Sequence, residues 1–148
     1  MAEVVAVFST LAAAVQLLNA SLTIVRGTIS FIREADEIDD EITLLLKTLV
    51  MTELLLQIIK STCENADSME GDPGKLVHIT LRLCEDRLRE ADGLVRSLAA
   101  QKRTGTFHKL SLTGKMKFDR SKRKIHGLIR DIQNMKGEIL NAIQCWNL

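Results

Sequence analysis

The histidines and cysteines that could act as nucleophiles, general bases or metal ligands are few and scattered in this 148-residue chain. Its three histidines stand in no spacing with Ser, Cys or Asp that suggests a catalytic triad: His78, His108 and His126. The cysteines are odd in number, widely separated and without the C-x2-C pairs of a zinc site: Cys63, Cys84 and Cys145. This pattern is typical of reduced cysteines in an intracellular protein. The sequence therefore predicts no enzyme activity, no metal site and no cofactor.

Two short motifs resemble phosphate and calcium sites but lack essential residues. Thr113-Gly114-Lys115 is similar to the end of a phosphate-binding loop, yet Lys109 occupies the position of the first required glycine. The carboxylates of residues 36–41 lack the alternating ligands and central glycine of a calcium loop. Because acidic residues stabilise the N-terminus of a helix, this cluster predicts a helix start.

A basic tract is the most conspicuous charged feature. Residues 102–130 contain ten Lys and Arg against one acid, Asp119. Cationic clusters beside apolar residues can dock on anionic lipid, and six residues of this tract are the candidate contacts with anionic lipid or a partner: Lys115, Lys117, Arg120, Lys122, Arg123 and Lys124. A solvated loop that balances acidic residues elsewhere is an equal alternative. Nucleic acid is not expected as a partner, because stacking aromatics are lacking.

The net charge of +1 hides a division between the two halves. Residues 1–74 hold twelve acids and four bases, a net charge of −8, whereas residues 75–148 hold sixteen bases and seven acids, a net charge of +9. Such asymmetry can hold the halves together or present a basic face to an anionic partner.

Four segments carry the apolar spacing of amphipathic helices. The first has nine apolar residues at alternating intervals of four and three: Val4, Phe8, Leu11, Val15, Leu18, Leu22, Val25, Ile29 and Ile32. The second follows with Ile38, Ile42, Leu45, Leu49, Thr52, Leu56, Ile59 and Cys63. Six further residues are expected to widen its apolar face and to make this helix central: Leu44, Leu46, Met51, Leu54, Leu55 and Ile58. The third has Val77, Leu81, Cys84, Leu88, Ala91, Val95 and Leu98, and the fourth Ile125, Leu128, Ile132, Met135, Ile139, Ala142 and Trp146.

Breaks between these segments support a bundle. Residues 65–74 include Gly71-Asp72-Pro73-Gly74, a strong helix breaker, and periodicity fails again over residues 102–117, where a short extra helix could lie. One proline and 3% aromatic residues favour an all-α protein. We therefore expect a single all-α domain over residues 1–148, a four-helix bundle with no strand.

The first helix lacks charge to an unusual degree. Residues 4–25 contain no ionisable side chain, and Glu3 is the only charge before Arg26. Their 22 residues would span about 33 Å as a helix, close to the ~30 Å hydrocarbon thickness of a bilayer. A signal peptide is rejected because no Lys or Arg precedes the apolar run and the heptad continues to Ile32. This helix fits either a protein core or a membrane.

Three stretches resemble a known group of fungal helical domains. Met1-Ala2-Glu3-Val4-Val5 opens an uncharged helix, and Asp39-Asp40-Glu41-Ile42 leads into a helix that ends Leu54-Leu55-Leu56-Gln57-Ile58-Ile59. Lys115-Met116-Lys117-Phe118 precedes a last helix that closes Ile139-Leu140-Asn141-Ala142-Ile143. Together they resemble the HeLo, HeLo-like and SesA-type domains that head STAND-type NTPase receptors and related cell-death proteins. The chain departs from that group in having Phe118 in place of a more usual Trp and no glycine zipper in the first helix.

The resemblance implies a module related to the four-helix domain of the mixed-lineage kinase-like pseudokinase. Such domains are held quiet in the cytoplasm by a larger host protein and, on activation, oligomerise and move to the plasma membrane through the first helix, causing programmed cell death such as heterokaryon incompatibility. The residues expected to insert are Glu3, Val4, Phe8, Leu11, Val15 and Leu18. The implied partners are further copies, host-protein domains and anionic lipids. The alternative is a homotypic or adaptor interaction bundle with no membrane activity.

Overall fold

The four predicted helices are present and account for most of the chain. The structure, a computed structural model, describes residues 2–100, 111–112 and 118–147, with side chains described for residues 11–99 and 122–147. The helices are α1 (Ala2–Arg33), α2 (Asp40–Glu64), α3 (Gly71–Ala100) and α4 (Phe118–Trp146). The predicted all-α four-helix bundle is confirmed.

The helices form a ring in which each contacts two neighbours. α1 packs on α2 and α3, and α4 packs on α2 and α3 from the other side. α1 therefore lies diagonally opposite α4, and α2 lies diagonally opposite α3. Among the described residues, α1 is therefore held chiefly through its contacts with α2 and α3.

The core consists of the predicted apolar stripes. The third stripe is buried throughout, as is the second stripe from Ile42 to Cys63. Six side chains expected in the core are less than 2% exposed: Leu18, Leu45, Leu49, Leu81, Leu88 and Ile132. Thr52, the single polar member of the second stripe, donates its hydroxyl to the carbonyl oxygen of Thr48 at 2.7 Å. This bond satisfies a buried hydroxyl that would otherwise be costly.

Two expectations about the second stripe are wrong. Ile38 is exposed and lies in a short strand before α2. Of the six apolar residues expected to widen the buried face of α2, Leu46 and Leu55 are partly buried against the core, whereas four point outward: Leu44, Met51, Leu54 and Ile58. α2 is therefore not central, because in a four-helix ring each helix has two neighbours and an outer face.

Local chemistry accounts for the ends of the helices. Asp39 is the N-cap of α2, its Oδ1 accepting the amide proton of Ile42 at 2.9 Å. The helix start predicted from the acidic cluster is thus confirmed, but α2 begins inside the cluster, at Asp40, and not after it. The predicted break at residues 65–74 extends too far, since α3 already begins at Gly71, whose φ of 70° disfavours L side chains. Pro73 is tolerated because the first turn of a helix needs no bond from its N–H.

Strands β1 (Glu37–Ile38) and β2 (Ser111–Leu112) pair in parallel. Glu37 is opposite Ser111, and Ile38 is opposite Leu112. The expectation of a chain without strands is wrong at these four residues. Apart from β2, the connection over residues 102–117 lies outside the described residues, and so does the short extra helix expected within it.

Candidate functional site

Before Arg26, the described side chains of the first helix form one buried face and one exposed face that carries no charge. Its buried face comprises Ala14, Leu18, Ser21, Leu22, Val25, Thr28, Ile29 and Ile32. Leu11 and Val15 are partly buried against the core. The opposite face before Arg26 is exposed and uncharged: Ala12, Gln16, Asn19 and Thr23. Glu3, Val4 and Phe8 belong to α1, but their side chains lie outside the described set.

Polar contacts hold α1 to its neighbours near its C-terminal end. Nε of Arg26 lies 3.1 Å from Oε1 of Glu53 on α2. Oγ1 of Thr28 lies 2.9 Å from Oδ1 of Asp92 on α3 and 2.8 Å from the carbonyl oxygen of Ile24, so it shares one proton between them.

The contact of Thr28 with Asp92 belongs to a larger group that we call the α1–α3 clamp: Thr28, Phe31, Asp92 and Arg96. Nε of Arg96 donates to Asp92 at 2.9 Å, and its guanidinium carbon lies 4.6 Å from the centre of the Phe31 ring. A cation over an aromatic face is attractive. The clamp and the Arg26–Glu53 pair both lie on the C-terminal side of the uncharged segment, whose described part is held by apolar packing.

One buried polar group lies within that apolar packing. The Ser21 hydroxyl is fully buried and has no hydrogen-bond partner of ordinary geometry. Its interaction is with the Cys84 thiol of α3, a weak partner. Burial raises the pKa of Cys84 to about 12 and outweighs the lowering by Ser21, while burial and the Glu64 charge raise the pKa of Cys63 to about 11. Both thiols are therefore protonated and inert at neutral pH.

The candidate anion-binding residues lie at or before the start of α4. Lys115 and Lys117 lie outside the described residues, and Arg120 belongs to α4 without a described side chain. Lys122 Nζ is 3.6 Å from Oε1 of Glu41 on α2. Arg123 and Lys124 are exposed. Lys122 thus has a contact within the bundle, whereas Arg123 and Lys124 extend into solvent.

Sequence reasoning missed a surface on α2. The described segments long and apolar enough to cross a bilayer are Leu11–Arg33, with mean hydropathy 1.3, and Asp40–Glu64, with mean hydropathy 1.8. Core helices of soluble proteins pass the same test, so this is weak support for a membrane role. The signal for the missed surface was available, because α2 carries a second apolar repeat beside its buried one: Leu44, Met51, Leu54 and Ile58.

Metal-site geometry and grooves are the features of the described surface that bear on ligand binding. No group of three His, Cys, Asp or Glu side chains there is placed to hold a metal ion. Two shallow grooves lie between α3 and α4 on the described surface. The first is lined by Glu90, Leu94, Lys124, Gly127, Leu128 and Asp131. The second is lined by Leu83, Arg87, Asp131, Asn134, Met135 and Glu138. Neither groove contains a histidine or cysteine. His108 lies outside the described residues.

Comparison with protein-family models, with curated proteins and with solved structures finds no match to this chain.

Proposed function

We propose that this chain is the N-terminal signalling module of a larger cytoplasmic protein. On activation the module self-associates and moves to the plasma membrane, which it damages through α1 to cause regulated cell death. The observation that carries the proposal is the position of charge along α1. Residues 4–25 have none, and the first cation, Arg26, is bonded to α2.

Burial energetics favour this helix as the mobile one. Apolar side chains such as Leu18 and Leu22 gain about as much free energy from leaving water for lipid as for a protein core. A charged residue at the bilayer centre would cost ~2.5–3.5 kcal/mol on insertion scales. Because residues 4–25 carry no charge, they can exchange one apolar environment for the other at low cost. The polar residues Gln16 and Asn19 require neighbouring helices in the membrane, which is consistent with self-association.

Exposed bases provide the initial attraction to the membrane in this proposal. Arg123 and Lys124 extend into solvent near the start of α4, and each base near an anionic surface contributes about 1 kcal/mol. The remaining candidates precede them in the chain: Lys115, Lys117 and Arg120. Raised salt should therefore weaken membrane binding.

A second candidate function is a protein-interaction bundle without membrane activity, homotypic or adaptor. The exposed apolar face of α2 favours it, since large exposed apolar patches commonly mark protein interfaces. In that case α1 stays permanently in the core.

A matched pair of lysine substitutions on α1 tests the membrane proposal. Asn19 and Ser30 are both exposed and about three turns apart, and they therefore lie on nearly the same face. Asn19→Lys puts a charge into the uncharged segment, whereas Ser30→Lys adds one beyond it. The domain, fused to an inducible oligomerisation tag, is assayed for dye release from anionic vesicles. Asn19→Lys should lower the insertion equilibrium by about 100-fold, because ~2.5–3.5 kcal/mol is lost.

Ser30→Lys should leave dye release near that of the wild type, and circular dichroism should show both variants folded. Equal release by wild type and Asn19→Lys would rule out insertion of α1. If the clustered wild-type domain releases no dye, the interaction bundle replaces the membrane proposal.

A further inference from the structure

The outer face of α2 carries a regular seam. Six residues follow intervals of 3,4,3,4,3, the repeat with which one helix packs along another: Leu44, Lys47, Met51, Leu54, Ile58 and Ser61. All six are exposed, and Met51, Leu54 and Ile58 are exposed to 61%, 56% and 65%. We call this set the outer seam. It lies opposite the buried stripe of the same helix.

The residues that flank the outer seam favour another helix, and not a lipid surface, as its binding partner. The flanking residues are all uncharged: Thr43, Val50 and Gln57 on one side, and Thr48, Leu55 and Thr62 on the other. Helices that lie on membranes are rich in Lys and Arg on their polar face. α2 has only two bases, Lys47 and Lys60, and Lys60 pairs with Glu64 at 3.7 Å.

We infer that the outer seam binds the outer seam of a second copy of this chain, with the two α2 helices antiparallel. The single charge in the seam sets this orientation. A parallel pair would place Lys47 directly against Lys47 of the second copy, which is repulsive. An antiparallel pair with Met51 opposite Leu54 places Lys47 opposite Ile58 and separates the two lysines by about 16 Å along the axis.

Charge at the ends of the seam also fits the antiparallel arrangement. Helix side chains lean toward the N-terminus of their own helix. Lys47 therefore leans toward the turn of the second copy that holds Ser61 and the exposed Glu64. The two-fold symmetry creates this cation–carboxylate approach twice, once at each end of the seam.

The size of the seam predicts weak association. From Leu44 to Ser61 it is about 26 Å long on a helix about 10 Å wide, a smaller footprint than the ~800 Å² per partner of a standard interface. We expect a dimer dissociation constant on the order of tens of micromolar, so the dimer should form in a cell only where the chain is locally concentrated. The inference rests on the self-association in the proposed function.

Sedimentation equilibrium in lipid-free buffer tests the seam. Leu54 on α2 and Ile79 on α3 are equally exposed at 56%, and therefore Leu54→Glu and Ile79→Glu form a matched pair. Leu54→Glu should weaken dimerisation by at least about 100-fold, since antiparallel pairing buries two carboxylates. Ile79→Glu should leave it unchanged. Met51→Glu is the second variant if Leu54→Glu fails to fold.

Disulfide trapping tests the orientation in a Cys145→Ser background, where the remaining cysteines are buried. Leu44→Cys mixed with Ser61→Cys should cross-link, and Leu44→Cys alone should not. Cross-linking of Leu44→Cys with itself would overturn the antiparallel arrangement. The proposed interface would be wrong if the wild-type domain stays monomeric. It would also be wrong if Ile79→Glu abolishes the dimer and Leu54→Glu does not. Vesicle leakage by an artificially clustered domain is measured separately, so failure of the seam and failure of the membrane proposal remain distinguishable.

Discussion

The burial of the cysteine side chains shows where the bundle excludes water. Cys63 and Cys84 are fully buried, whereas Cys145 is exposed. Burial raises the pKa of Cys84 to about 12 from the model-compound value of 9.0. In the unfolded chain this thiol loses its proton near pH 9, while the folded protein keeps it. The native state then binds more protons than the unfolded state, so its stability falls as the pH rises from about 9 to about 12.

The cysteines therefore give a pH-dependent prediction. Replacing Cys84 removes one titrating group, and Cys84→Ala should make the loss of unfolding free energy between pH 9 and pH 11 less steep. The reduction should be at most about 1.4 kcal/mol per pH unit, the value for one proton. Urea unfolding at several pH values measures the slope. An unchanged slope in Cys84→Ala would contradict the burial of this thiol.

At the scale of elements, the α1–α3 clamp joins residues far apart in the chain. Thr28 and Asp92 are 64 positions apart, and their side chains meet because α1 packs along α3. The Asp92 carboxylate serves both Thr28 and Arg96. The clamp thus resists the separation of α1 that a membrane role requires.

Removing the clamp carboxylate should loosen α1. Asp92→Ala should destabilise the domain by about 1–2 kcal/mol, since a hydrogen bond to a partly exposed charged group is lost. Amide hydrogen exchange in α1 should accelerate more than in α4, which contributes no residue to the clamp. Glu90→Ala is the control, because Glu90 pairs only with Arg87 on its own helix among the described residues. Its cost should stay below about 0.5 kcal/mol. Uniform acceleration across all helices in Asp92→Ala would show that the clamp does not act on α1 specifically.

At the scale of the whole molecule, the ring of helices buries one side of α2 in the core and leaves the other side exposed to solvent. Leu49 is fully buried, whereas Leu44 on the same helix is exposed. Leu49→Ala should cost about 2–5 kcal/mol by leaving a cavity. Leu44→Ala should change the unfolding free energy by about 0.5 kcal/mol or less. Urea denaturation at low protein concentration measures both, and equal costs would mean that the two faces of α2 are wrongly assigned.

Sequence periodicity predicted the core well because burial follows the 3,4 repeat wherever only one such repeat exists. α3 is the clear case, with a charged face opposite its stripe and all seven stripe residues buried. α2 carries two apolar repeats, and its buried stripe was predicted correctly while its exposed apolar residues were wrongly assigned to the same face. The clamp was also unpredictable, since Thr28 and Asp92 are joined only through the packing of two helices. The roles of Lys115 and Lys117 stay predictions.

The pairing of β1 with β2 has a mechanical consequence. The pairing joins the segment before α2 to the connection that precedes α4. If α1 moves as a rigid rod, it therefore pivots at residues 34–36, between Arg33 and β1. The rod has 32 residues, which corresponds to a lever about 48 Å long. Turning about that pivot, its tip would sweep farther than the ~30 Å depth of a bilayer interior while the other three helices remained in place.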